Sequence, residues 1–119
     1  MNNKKFAIQL EKRTKDFALN IIKLTTKLPD TPEAKVIRYQ LAKSGTSVGA
    51  NYREANNSRS KADFKNKISI SAGEASETGY WLELIEQTSW MNSDEVASLI
   101  IEANELLAIF TSIKTKINM

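Results

Sequence analysis

The chain has 119 residues, with 17 Lys and Arg against 14 Asp and Glu for a formal net charge of +3, which suits one domain with a modest core. Cysteine and histidine are both absent, which excludes a disulfide framework, a thiolate nucleophile, a Cys-based zinc site and the usual general base. No apolar run approaches the ~20 residues expected of a membrane span, and the N-terminus lacks a secretory signal pattern, so a cytoplasmic protein with no membrane partner is the expectation.

The first helical stretch runs from about residue 4 to residue 28. Phe6, Leu10, Phe17, Ile21, Leu24 and Leu28 share one face at spacings of mostly three or four. Ile8, Leu19 and Ile22 form a second, weaker apolar group well around the cylinder. Lys5, Lys12, Lys23 and Lys27 fall between the two, within about 60° of one another at about 100° per residue. Pro29-Asp30-Thr31-Pro32 breaks the chain, with Thr31 placed to cap the next helix and Pro32 suited to its first position.

The second helix, about 33 to 56, contains Ser44-Gly45-Thr46-Ser47-Val48-Gly49-Ala50-Asn51-Tyr52. Small polar residues and two glycines are costly here, since each interior Gly costs roughly 1 kcal/mol relative to Ala. Ile37, Leu41, Ser44, Val48, Asn51, Tyr52 and Ala55 lie on one arc, and Ala42, Gly45 and Gly49 form a flat strip beside it. A strip without side chains lets another backbone come close, so this segment is expected to be a contact surface.

Ser60 and Asp63 resemble a capping box opening the third helix, which extends to about Thr88. Its apolar arc is wide: Phe64, Ile68, Ala75 and Leu82 on one side, Ile70, Trp81, Leu84 and Ile85 on the other. Glu74 and Glu77 project from the second group. Ser93 is expected to cap the fourth helix, with Asp94 and Glu95 in its first turn. Val96, Leu99, Ala103, Leu106, Phe110, Ile113 and Ile117 then recur every three or four residues. Four helices with short connections predict an all-α, antiparallel up-down-up-down four-helix bundle spanning the whole chain as one domain.

Two segments, SGTSVGANYREA at 44–55 and EASETGYWLELI at 74–85, resemble the signature blocks of the 23S rRNA intervening-sequence proteins, a family also called simply four helix bundle protein. They stand in the expected order and spacing, and the likeness covers nearly the whole chain. The sequence differs from the usual pattern at Gly73, where Lys commonly precedes the Glu, and at Gly79. The resemblance implies a bundle that assembles as a ring-shaped homopentamer, with no catalytic activity and no cofactor. A relative, the accessory protein of diversity-generating retroelements, shares the fold and binds nucleic acid and a reverse transcriptase.

Charge is unevenly spread. Residues 1–28 carry seven basic residues against two acidic ones, whereas 93–119 carry two against four. If several copies form a ring, the repeated stripe of Lys5, Lys12, Lys23 and Lys27 could hold RNA or DNA phosphates without reading bases. The competing reading is that the basic first helix simply lies against the acidic fourth.

Glu74 and Glu77 invite a metal or acid–base reading, but di-metal bundles need Glu-x-x-His motifs and this chain has no His. They are better read as buried or interfacial acceptors served by Ser44, Ser47, Asn51, Arg38 or Arg53, within the chain or across a subunit boundary. Trp81 at helical spacing reads as core. Two function classes remain: a non-enzymatic nucleic-acid-binding ring, and an oligomeric scaffold that docks another protein with nucleic acid incidental.

Overall fold

A computed structural model describes residues 3–118. Four helices follow in order: α1 (Asn3–Thr25), α2 (Pro32–Asn56), α3 (Lys61–Glu86) and α4 (Ser93–Ile117). Each packs against its neighbour in sequence, and α1 also meets α4 to close the bundle, though more sparsely than the other three seams. The body measures 45 × 23 × 21 Å, as expected for helices of ~25 residues rising about 1.5 Å each. The chain is an antiparallel up-and-down bundle, as the periodicity predicts.

The caps explain where the helices start. Thr31 accepts a hydrogen bond from the Ala34 amide at 3.3 Å, and Ser60 accepts one from the Asp63 amide at 3.0 Å. At α4 the expectation needs correcting by one residue. Asn92, not Ser93, is the cap, its Oδ1 accepting from the Asp94 amide at 2.8 Å.

Two ends fall earlier than expected. Helix α3 stops at Glu86 rather than near Thr88. Helix α1 stops at Thr25 rather than Leu28, and a side chain from α2 meets that end. Arg38 donates from Nε to the Thr25 carbonyl at 3.2 Å, and from Nη2 to those of Leu28 and Pro29 at 3.0 and 3.1 Å. The carbonyl at the helix end and two just beyond it thus receive donors from outside the helix. The chain tightens through Lys27 and Leu28, whose amides reach back to Leu24 and Thr25. Leu28 folds under the end of the bundle and is buried.

The core runs the length of the bundle, from Leu24, Leu41 and Ile85 through Val48 and Leu106 to Phe110. Tyr52 and Phe110 pack with ring centroids 5.5 Å apart and tilted, a favourable aromatic geometry. Of the second apolar groups, Ile8, Leu19, Ile22, Ile70 and Leu84 are exposed, whereas Ile85, expected with Ile70 and Leu84, is buried in the core. One further correction concerns α4, which is long and apolar enough by composition to cross a membrane. Between Val96 and Ile113 only Glu102 and Glu105 carry charge. In the folded chain its Val96, Leu99, Ala103, Leu106 and Phe110 are buried.

Candidate functional site

The small-residue segment of α2 lies between two helices and meets each by a different device. Toward α1 it offers its glycines. A Cβ on Gly45 would stand 2.8 Å from Ile21 Cγ2, and one on Gly49 would stand 2.9 Å from Thr14 Oγ1 and 3.4 Å from the Thr14 carbonyl carbon. Neither position has room for a methyl group without displacement. Thr14 is itself fully buried, and its hydroxyl bonds back to the Leu10 and Glu11 carbonyls at 3.0 Å. The expected close helix contact is present, and α1 is what makes it.

Toward α3 the segment offers one hydroxyl and one carbonyl. Ser71 Oγ donates to the Val48 carbonyl at 2.9 Å. Thr78 Oγ1 sits 2.9 Å from Ser44 Oγ and 2.7 Å from the Glu74 carbonyl. All three hydroxyl residues are buried, and among the described residues no buried side-chain polar atom lacks a partner. Gly79 continues this economy on the opposite side of α3, where it is buried near Ala103 of α4. Gly73 faces open space, and a methyl group added there would meet nothing within 4 Å.

The expectation for the carboxylates is corrected within the single chain. Ser47 Oγ donates to the Lys43 carbonyl at 2.7 Å and Asn51 Nδ2 to the Ser47 carbonyl at 2.9 Å, so both are spent on their own helix. Arg38 is committed to the α1 end, and Arg53 lies 3.7 Å from Glu11. Glu77 is exposed and accepts from the Trp81 indole at 3.1 Å. The half-buried Glu74 carboxylate makes no hydrogen bond or ion pair among the described residues. Trp81 is half-buried rather than core, in edge contact with Tyr80 at 5.1 Å. The outer face of α3 therefore carries acid and apolar surface together.

On α1 the four stripe lysines are all exposed but differ in company. Lys12 pairs with Asp16 one turn on at 2.9 Å, and Lys27 reaches Glu95 of α4 at 2.6 Å. Lys23 makes no ion pair among the described residues. The principal bridge to α4 comes from a residue outside the stripe. Arg13 donates to both oxygens of Glu102 at 2.6 and 2.7 Å and to Glu105 at 2.7 Å. The Glu102 hydrogen bond raises the guanidinium pKa further above its already high value, against an opposing contribution from burial. Such forked, charge-assisted contacts are the strong ones. Glu102 and Glu105 lie one turn apart, which is the one sequence signal that could have pointed to a shared cation.

Two depressions flank these helices. One, of about 410 Å³, lies over the α1–α2 seam between Lys15, Gly49 and Arg53. The other, about 400 Å³, opens at the bundle end among Phe6, Tyr52, Phe64 and Ile113. Burial holds the Tyr52 phenol pKa above its usual value, with an Asn56 hydrogen bond opposing. Among the described residues no group of three or more Asp and Glu could hold a metal ion. The geometry of the described residues offers charge, apolar area and small-residue seams.

A sequence model described as 23S rRNA-intervening sequence protein matches residues 7–112. No curated protein matches the chain. Among solved structures, the chain is similar to a protein of unknown function from the S23 ribosomal protein family of Bacteroides thetaiotaomicron VPI-5482, determined at 1.70 Å. The two are 36% identical with a TM-score of 0.81, over 87% of this chain and 96% of that one.

Proposed function

The chain belongs to the 23S rRNA-intervening sequence protein family, and from that premise we propose that it is a non-enzymatic bundle that assembles into a homo-oligomeric ring and holds RNA or DNA by charge. Five copies is the number its family resemblance favours. The observation that carries the reading is the outer face of α1, where exposed Ile8, Leu19 and Ile22 lie among exposed lysines. Apolar area of that kind marks interaction surfaces. Lys5, Lys12, Lys23 and Lys27 flank it, and repeated around a ring they would present several phosphate contacts at once.

The in-chain alternative, that helix-one cations only neutralise α4, accounts for Arg13 and Lys27 but not for Lys23. A second reading, a scaffold that docks a protein, is favoured by Val36 and Tyr39, which stand exposed on the outer face of α2.

Filter binding to mixed RNA and DNA at low and high salt, paired with sedimentation velocity, tests the proposal. A binding constant that falls steeply with salt, from an assembled species, is the expected result. Absence of binding at low salt, where charge-driven association is strongest, would remove the nucleic-acid reading and leave the scaffold.

A further inference from the structure

Helices α1 and α3 carry the same surface pattern with opposite charge. Counting from Ile8, offsets of 4, 7, 11 and 14 give Lys12, Lys15, Leu19 and Ile22; counting from Ile70, the same offsets give Glu74, Glu77, Trp81 and Leu84. Both stripes read apolar, charged, charged, apolar, apolar. Offsets of this kind keep all five positions along one side of a helix. Each stripe covers about 21 Å at roughly 1.5 Å per residue, so the two are matched in length as well as in order.

Both stripes lie on the outer side of their helices, with Glu74 and Trp81 half-buried and Trp81 resting against the core. Ile8, Leu19 and Ile22 are 62, 47 and 45% exposed, and Ile70 and Leu84 are 38 and 37% exposed. Within one chain they do not meet, because α1 and α3 are diagonal in the bundle and each packs only against α2 and α4. Their charged members have little to do at home. Lys15 and Glu74 have no ion-pair partner among the described residues. Glu77 has only the Trp81 indole, and Lys12 only Asp16 of its own helix.

We infer that the two stripes are the two halves of one contact between copies, the α1 stripe of one copy lying on the α3 stripe of the next. This rests on the assembly reading above and specifies its interface. The order of the residues decides the direction. Aligned parallel and in register, Lys12 faces Glu74, Lys15 faces Glu77, and Leu19 faces Trp81. Aligned antiparallel, Lys12 meets Trp81, Glu74 meets Leu19, and only the central Lys15–Glu77 pair survives.

Parallel pairing has a consequence for symmetry. The donor and acceptor surfaces lie on different sides of the bundle, so the contact is heterologous and repeats head to tail. Rotation about an axis along the bundle keeps every helix direction, so successive contacts can close into a ring. Apolar positions supply the association, and the charges select register and partner. Lys12 is then taken up by the contact between copies, and Lys5, Lys23 and Lys27, outside the stripe on its border, are the lysines left for phosphates.

The test is charge exchange in the full-length chain, read by sedimentation velocity at micromolar concentration. Lys15→Glu and Glu77→Lys are each expected to raise the concentration for half-assembly at least tenfold, and the double variant to return it toward wild type. Lys12→Glu with Glu74→Lys provides a second, independent pair, with circular dichroism reporting folding of every variant. If the single variants assemble as wild type does, or the double variants stay dissociated, the pairing is overturned while the ring reading stands. If wild type itself is monomeric, both fall.

Discussion

Gly49 of α2 and Thr14 of α1 approach so closely that a Cβ on the glycine would lie 3.1 Å from the threonine Cβ and 3.4 Å from its carbonyl carbon. The threonine Cβ keeps its place when the hydroxyl rotates away, so rotation of the side chain does not relieve the contact. Helix propensity and packing therefore make opposite predictions for the same substitution.

Gly49→Ala gains about 1 kcal/mol from propensity and loses about 1–3 kcal/mol to overpacking. The expected outcome is a lower melting temperature. Gly73→Ala is the matched control, because nothing stands within 4 Å of its added methyl. It should stabilise by up to about 1 kcal/mol. A Gly49→Ala protein that melts higher than wild type would show that α1 can move away without cost.

Arg13→Ala should destabilise by about 1 kcal/mol, since the side chain is 37% exposed and its bridge is partly screened. Arg13→Lys should recover little of that loss, because an ammonium cannot reproduce the fork across Glu102. Urea unfolding of the two variants distinguishes a geometric requirement from a purely ionic one. Equal stability of Arg13→Lys and wild type would argue for charge alone.

Tyr52 predicts the alkaline limb of stability. Its folded pKa is raised above the ordinary value of 10.0, chiefly by burial. Below that value both states hold the proton and pH has no effect through this group. Above it the unfolded chain ionises first and binds fewer protons, so stability falls as pH rises. In Tyr52→Phe the decline above pH ~10 should be shallower than in wild type. Identical slopes in the two proteins would place the alkaline loss elsewhere.

For nucleic acid, Lys5→Glu with Lys23→Glu should weaken binding to all sequences alike and make the salt dependence shallower, by about 0.9 in log–log slope for each duplex phosphate no longer neutralised. Both side chains are exposed, so the melting temperature should shift little. A change in melting temperature without any change in binding would favour a structural role for these lysines.

Most of the fold is legible because one-dimensional period is enough to identify a helix. Leu10, Phe17, Ile21 and Leu24 fall on one face whatever packs against it, and they are buried. The glycine strip is legible for a similar reason, since two glycines one turn apart inside a helix require a close neighbour. What the neighbour is cannot be read the same way. Arg13 escapes sequence reasoning because its partners come from a helix nearly ninety positions later, and nothing local marks it off from the lysines around it.

The corrections share that origin. The early end of α1 coincides with Arg38 of α2 binding the Thr25 carbonyl and the Leu28 carbonyl just beyond it, contacts absent from the local sequence. Wheel positions alone give Glu74 and Glu77 partners on α2. The hydroxyl and amide groups there bond to their own helix first, a local competition that short polar side chains commonly win.

The sparse α1–α4 seam bears on how the chain comes together. Every other seam joins helices adjacent in sequence, so most loops to be closed are short and their entropy cost is small. Only the last closure, between the first helix and the fourth, spans the whole polypeptide. Helices α2 to α4 can therefore zip as consecutive hairpins, with α1 held on one flank until Arg13 finds Glu102. Amide exchange should register this as a hierarchy, with α1 protons on the α4 side released through smaller openings than those of α3. A ribosome-bound chain still waiting for its fourth helix could already form the α1–α2 and α2–α3 seams, and would lack the piece that both completes α3 and latches the first helix down.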